Sequence, residues 1–234
     1  MSVGSAVGAG VPTPKQFLTL AGVPVLVHSL RAFLAVERVA AIYVAVRATE
    51  IDRVRAQVAE HGLANKVHVV AGGDQRQQSV ANALASLIAE HNSADDDIVL
   101  VHDAARPLID ADTINRTIDA VAEHGAAIVG LPAVDTIKQV ERTAHGAIIT
   151  ATIPRERIVQ AQTPQGARLS LLRQVFADAA ADGFLGTDEA SLLERAGIEV
   201  SVVPGSAKNF KITQHGDLEL AEFYLRKATT DLHG

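Results

Sequence analysis

Between residues 25 and 131 short β-branched runs alternate with longer amphipathic stretches, and no other feature narrows the possible folds as much. The apolar runs are Ala40-Ala41-Ile42-Tyr43-Val44-Ala45-Val46, Val67-His68-Val69-Val70-Ala71, Ile98-Val99-Leu100-Val101 and Ala127-Ile128-Val129-Gly130-Leu131. Apolar residues at helical spacing cover 25–36, 51–61, 79–91 and 112–124, and glycines close the second and fourth at Gly62 and Gly125. Strands separated by such crossovers lie parallel, because a parallel neighbour is reached only by a long connection, and that connection is right-handed. The pattern predicts an α/β fold with a mostly parallel sheet and helices on both faces.

After residue 131 the rhythm changes. Asp135-Thr136-Ile137-Lys138-Gln139-Val140 and Gly146-Ala147-Ile148-Ile149-Thr150-Ala151-Thr152 follow without a helix between them, around a polar turn at Thr143-Ala144-His145. They predict a projecting β-hairpin arm over about residues 133–156. A two-stranded arm is marginal in water, so it is expected to pack on a second copy of the chain. Further strands are expected at 158–162 and 200–203 and helices at 169–181, 188–196 and 217–227, the last with Leu218, Leu220, Ala221 and Leu225 inward. No repeat or proline-rich linker divides residues 1–234, so one domain bearing the arm is expected.

Composition removes several classes of function. The absence of cysteine excludes disulfides and thiolate metal sites and makes a cytoplasmic setting the default. No apolar run approaches the ~18 residues that cross a bilayer, and the first residues lack the basic start of a secretory signal. A net charge of −6 with only 3% aromatics and no tryptophan argues against nucleic-acid binding, while leaving room for local cations around a small anion. None of the nine histidines has metal-ligand spacing, and neither a serine nucleophile elbow nor a Gly-Lys-Ser/Thr phosphate loop is present.

The run Ile98-Val99-Leu100-Val101 ends at His102-Asp103-Ala104-Ala105-Arg106-Pro107, delivering a carboxylate and an arginine where α/β sheets keep their ligands. Asp103 could equally cap a turn and pair with Arg106. Gly72-Gly73-Asp74, followed by Arg76 and Ser79, would let backbone amides approach a planar base or phosphate, and a turn with a helix cap accounts for it as well. Thr163-Pro164-Gln165 and Asn209-Phe210-Lys211-Ile212-Thr213 also follow predicted strands, and Pro14-Lys15 is a fifth candidate. In a parallel sheet these segments would gather at one edge.

Together with Asp135-Thr136-Ile137-Lys138 and Thr187-Asp188-Glu189-Ala190, these motifs resemble, in order from about residue 10 to 226, the 2-C-methyl-D-erythritol 4-phosphate cytidylyltransferases. The resemblance implies a homodimeric nucleotidyltransferase of Rossmann-like architecture that uses CTP and Mg²⁺ to activate methylerythritol phosphate. By position it implies that Gly73, Asp74 and Ser79 read cytosine, that Asp103 and Ala104 lie at the ribose and the magnesium-bound phosphates, and that Lys15 and Lys211 hold the triphosphate, with Gly10 in the nucleotide loop. Thr136 and Arg155 on the arm would reach the substrate of the partner subunit, beside Thr163 and Arg106; Arg157 competes with Arg155 for that role. The family's opening strand and its Ala-Ala-Gly-x-Gly-x-Arg-Met-Gly loop have as their counterpart Gly4-Ser5-Ala6-Val7-Gly8-Ala9-Gly10, with Gly8 at the arginine position. The expectation is therefore a chain lacking that strand and arginine loop, through a truncated or misassigned start or as a degenerate paralogue, with two strands left at unpaired edges. A cytidylyltransferase for another polyol phosphate such as ribitol 5-phosphate, and a catalytically weak nucleotide-binding paralogue, stand as alternatives.

Overall fold

A computed structural model describes residues 18–91 and 93–231. A short hairpin of β1 (Thr19–Leu20) and β2 (Val23–Pro24) leads into α1 (Val25–Leu34), β3 (Ile42–Val46), α2 (Ile51–Glu60), β4 (Val67–Ala71), α3 (Arg76–Glu90) and β5 (Ile98–Val101). Then follow α4 (Ala111–His124), β6 (Ala126–Pro132), β7 (Ile137–Thr143), β8 (Gly146–Ile153), β9 (Val159–Arg168), α5 (Leu169–Asp182), α6 (Glu189–Arg195), β10 (Ser201–Pro204) and α7 (His215–Asp231). The apolar runs thus become strands and the amphipathic stretches helices. Asp110 caps α4 by accepting the Thr113 N–H, and Gly125 ends it at φ 86, a backbone angle that a side chain would oppose.

Two neighbouring pairs are parallel, β3 with β4, joined through α2, and β6 with β10. A four-stranded sheet has the order β10-β6-β9-β5, and β9 runs antiparallel to both β6 and β5. This strand is the exception because the arm turns the chain back at the sheet margin, so β9 re-enters from the far end. Thr163-Pro164-Gln165, expected just beyond a strand, lies within β9: pairing with β6 continues on both sides of it, and the register shift opposite Ile128 and Val129 absorbs the extra residues. Val101 pairs with Gln165, which sets Thr163 just past the C-terminal end of β5.

Helices close both sides of the strands. Leu169, Leu172, Val175 and Phe176 of α5 pack with Leu84 of α3 and Leu192 and Leu193 of α6, and a second core joins Leu26 and Leu30 of α1 to Val44, Val46, Val67 and Val69. Such packing supplies most of the helical stability, since helices of this length are marginal alone. Ala221 of α7 is fully buried with Leu218 and Leu225 against it, whereas Leu220, expected inward, is 44% exposed because it lies off that stripe. Strands β7 and β8 pair only with each other and form the expected arm. Gly10, Lys15 and the expectation drawn from Gly4 to Gly10 lie outside the described residues.

Candidate active site

Asp103 is the centre of the site. Its carboxylate is 15% exposed and lies 3.0 Å from Lys211 Nζ, 3.5 Å from Arg106 Nε and 3.6 Å from Arg76 Nε. Burial alone would raise this carboxyl, but the Lys211 contact and charge, reinforced by Arg76 and Arg106, outweigh it and hold the group below the ordinary carboxylate range. The cations arrive from different elements. Arg76 opens α3, Arg106 ends the turn that follows β5, and Lys211 sits on the segment between β10 and α7.

That last segment is fixed from two sides. Asn209, fully buried, donates from Nδ2 to the Thr163 carbonyl at 2.8 Å and to Gln162 Oε1 at 3.3 Å, while its own carbonyl accepts from Arg106 Nη1 at 2.8 Å. The Ile212 N–H donates to the Ala105 carbonyl at 2.8 Å, which ties the 209–212 segment to the loop after β5. Thr163 joins from β9: its Oγ1 accepts the Asp103 N–H at 3.0 Å. The Ala104 carbonyl accepts from Ser29 Oγ of α1 at 2.9 Å.

The glycine loop after β4 borders this cluster through Arg76. Ser79 Oγ accepts the Gly73 N–H at 3.0 Å, and Gln78 Oε1 accepts the Asp74 N–H at 3.2 Å. A side chain on Gly72 would bring its Cβ to 2.8 Å from Ser79 Oγ, so the close loop requires glycine there. Glu189, 1% exposed at the start of α6, takes both terminal nitrogens of Arg76 at 2.7 and 2.8 Å. Arg76, Arg106 and Lys211 thus face two carboxylates, Asp103 and Glu189, leaving an excess of positive charge suited to phosphate.

Comparison with known proteins decides what this arrangement belongs to. The family model for 2-C-methyl-D-erythritol 4-phosphate cytidylyltransferase matches residues 2–227. The chain is 67% identical to the enzyme of that name from Acidobacterium capsulatum, over 97% of this chain and 95% of that one, and 51% identical to the one from Solibacter usitatus, over 97% and 91%. The chain belongs to this family. The crystal structure of the Francisella tularensis member superimposes with a TM-score of 0.76 at 34% identity, covering 90% of this chain and 93% of that one, which gives the same Rossmann-like α/β fold. As a member of a cytidylyltransferase family the chain is a nucleotidyltransferase.

The residues named from sequence divide into two sets. Gly73, Asp74, Ser79, Asp103, Ala104, Arg106, Thr163 and Lys211 converge on the loops at the end of β4 and β5. Thr136 and Arg155 stand at the base of the arm, where Arg155 Nη1 donates to the Val134 carbonyl at 2.6 Å, and among the described residues neither bonds to the Asp103 cluster. Arg157 shares the short turn Arg155–Arg157 with Arg155. Sequence reasoning left out Glu189 and Asn209. Both lie inside motifs quoted above; for Asn209 the usable signal was a polar side chain beside Phe210 and Ile212, whereas nothing local marks Glu189 as inward-facing.

Nucleotidyltransferases generally employ a divalent metal. Among the described residues no group of three histidine, aspartate or glutamate side chains could hold one. Asp103 nevertheless fits a magnesium ion that takes a single carboxylate, because Mg²⁺ keeps waters and draws its other ligands from nucleotide phosphates.

Proposed function

We propose that this chain transfers CMP from CTP to 2-C-methyl-D-erythritol 4-phosphate with release of pyrophosphate, as a cytoplasmic homodimer whose subunits are single domains, residues 1–234, joined through the arm at about 133–156. The observation that carries the reading is the Asp103 carboxylate held at the end of β5 by Lys211, Arg106 and Arg76, next to the glycine loop.

A phosphomonoester has its second pKa at about 6 and is largely dianionic at neutral pH. It can therefore attack the α-phosphorus of CTP without a general base, and the site has only to align it and balance charge. Lys211, its side chain 45% exposed, turns from Asp103 to a phosphate when the triphosphate binds, and Lys15 serves the same triphosphate. Gly10, Gly73, Asp74 and Ser79 hold the nucleotide, the loop amides and the serine hydroxyl facing the cytosine, with Asp103 and Ala104 at the ribose. Asp103 holds Mg²⁺, which when bound neutralises charge developing on the phosphates. Thr163 and Arg106 receive the polyol phosphate, and Thr136 and Arg155 reach it from the partner subunit.

Supporting the dimer, the arm exposes Val140, Ile148 and Ile149, and Val134 at its base is 78% exposed. Exposed apolar side chains gathered on one projecting element mark an interaction surface. Among the described residues no helix is long and apolar enough to cross a membrane. The test is pyrophosphate release from CTP and Mg²⁺ with methylerythritol phosphate or ribitol 5-phosphate as acceptor. Turnover with the first at ordinary enzyme rates of about 1 per second or more supports the reading. Preference for the second reassigns the acceptor, and CTP binding without turnover supports a weak paralogue.

A further inference from the structure

The glycine loop and Asp103 stand on different sheets. The loop follows β4, which among the described residues pairs only with β3, whereas Asp103 follows β5 at the margin of the β10-β6-β9-β5 sheet. Apolar packing brings the two together, with Ile42 of β3 and Ile98 and Leu100 of β5 around Ile114, but such packing has no direction and does not set the spacing of polar groups. Side chains at the start of α3 do. Arg76 reaches across, its Nε 3.6 Å from Asp103 Oδ1 while Nη1 and Nη2 donate to the two oxygens of Glu189 at 2.7 and 2.8 Å. Gln77 repeats the link one residue on, donating from Nε2 to the Phe184 carbonyl at 3.1 Å and accepting the Gly186 N–H at 2.8 Å.

Glu189 is itself tied to the sheet that carries Asp103. Its neighbours are bonded to Gln165 of β9, whose Nε2 donates to Asp188 Oδ2 at 2.9 Å and whose Oε1 accepts the Ala190 N–H at 3.0 Å, and Gln165 pairs with Val101 at the end of β5. The Glu189 side chain is 1% exposed and that of Arg76 38%, so the carboxylate is the fixed partner and the arginine the reaching one. A fork of two charge-assisted bonds sets direction as well as distance. We propose that Glu189 is a positioning residue for nucleotide selection: through Arg76 it locks the glycine loop at one spacing from Asp103, so that the base and the ribose of a single nucleotide are read in register. Cytosine and uracil differ by an exchange of donor and acceptor along one edge, and loop amides tell them apart only when their aim is fixed. The inference rests on the functional reading given above for the identity of the nucleotide, and on the bonds among β9, α6 and α3 for the joint itself.

Glu189→Gln keeps the shape but turns one acceptor oxygen into an NH₂ group that opposes an arginine N–H. The charge left over belongs to Arg76, which reaches water, so the variant is expected to fold. In the full-length, ligand-free chain, amide exchange at Gly73, bonded to Ser79 Oγ, and at Gly186, bonded to Gln77 Oε1, should quicken about tenfold while the amides of β5 and β9 keep their rates. Unchanged exchange at both glycines, or the same acceleration throughout the chain, overturns the proposal. In turnover with CTP and UTP, the ratio of their kcat/KM values should fall about tenfold while KM for methylerythritol phosphate moves less than about threefold. Arg76→Met added to Glu189→Gln should lower that ratio by less than about a further threefold, because the pair acts as one unit. A preserved ratio, or an equal rise in KM for nucleotide and polyol phosphate, marks a merely structural pair and overturns the proposal. Gln77→Ala loosens the same joint from the neighbouring position and should lower the ratio by a smaller factor, which carries the test if Glu189→Gln does not fold. If the wild-type chain turns over neither nucleotide, the reading of the site fails, and exchange at Gly73 and Gly186 still decides the joint by itself.

Discussion

The Asp103 cluster and the β7–β8 arm solve opposite problems. Around Asp103 the charged and buried polar side chains are tied together within the chain: Lys211, Arg106 and Arg76 on the carboxylate, Glu189 on Arg76, Asn209 across to Thr163. The arm is held by its own ladder and a few surface bonds, such as Lys138 Nζ to Thr152 Oγ1 at 2.7 Å, with Ile148 and Ile149 more than half exposed. The first region is organised within the chain, and the second leaves apolar side chains uncovered. If both serve one reaction, damage to the cluster should abolish chemistry without unfolding, and damage to the arm should act through assembly.

The sharpest break in that comparison is Lys211→Ala. The side chain is 45% exposed and touches no core cluster, so removing it should leave the chain folded, at a cost of about 1 kcal/mol for the lost pair with Asp103. Removing a cation from a developing phosphorane should lower kcat by about 10²–10³-fold. Pyrophosphate release and a melting curve on the same sample check both halves, and an unfolded variant would make Lys211 structural. Next is Ile148→Glu combined with Ile149→Glu, which places a charge on each face of the arm, since consecutive strand residues point to opposite sides. Sedimentation should show monomers, and turnover should fall about ten- to a hundredfold as Thr136 and Arg155 lose the neighbouring site. A dimer that survives would free the arm from its assigned role. A smaller effect is expected of Arg155→Ala, namely a KM for the polyol phosphate about tenfold higher with KM for CTP unchanged. A larger effect from Arg157→Ala would exchange the two arginines.

Local signals made much of this legible. Val67-His68-Val69-Val70-Ala71 and Ile98-Val99-Leu100-Val101 match their strands end to end, because a buried run bounded by polar residues has little freedom of register. The start of α3 was harder to see: the helix begins at Arg76 and not near Ser79, and no side chain caps it, so the usual marker was missing. Reversal of β9 could not be read from its own residues, since strand direction depends on where the arm returns the chain. In the site, Asp103 and Lys211 stood out as charges in apolar or small-residue runs. Glu189 did not, because its neighbours Thr187, Asp188 and Ser191 read as a helix start, which they are, with Asp188 capping α6. Its inward direction is a tertiary fact, set by Arg76 a hundred residues earlier in the chain.

The mildest test separates the two regions by acid. Burial lowers the pKa of His28, whose Nε2 lies 2.8 Å from the Leu20 carbonyl, and depresses that of His102 to about 4. Both rings bind their proton less readily in the folded chain than in the unfolded one, where histidine titrates near 6.5. Between those values the unfolded state holds more protons, so stability falls as pH falls. Asp103 adds a later loss of the same sign: its depressed carboxyl contributes stability above the unfolded carboxylate pKa, and the contribution disappears as pH drops through the lower folded value. From pH 7 to pH 5 the His102 shift alone should remove roughly 2 kcal/mol, read as a lower urea midpoint at unchanged slope. Substituting His102 by Asn should flatten that dependence. The two arm glutamates introduced at positions 148 and 149 should not, because a difference that belongs to the packed site cannot be abolished from the arm.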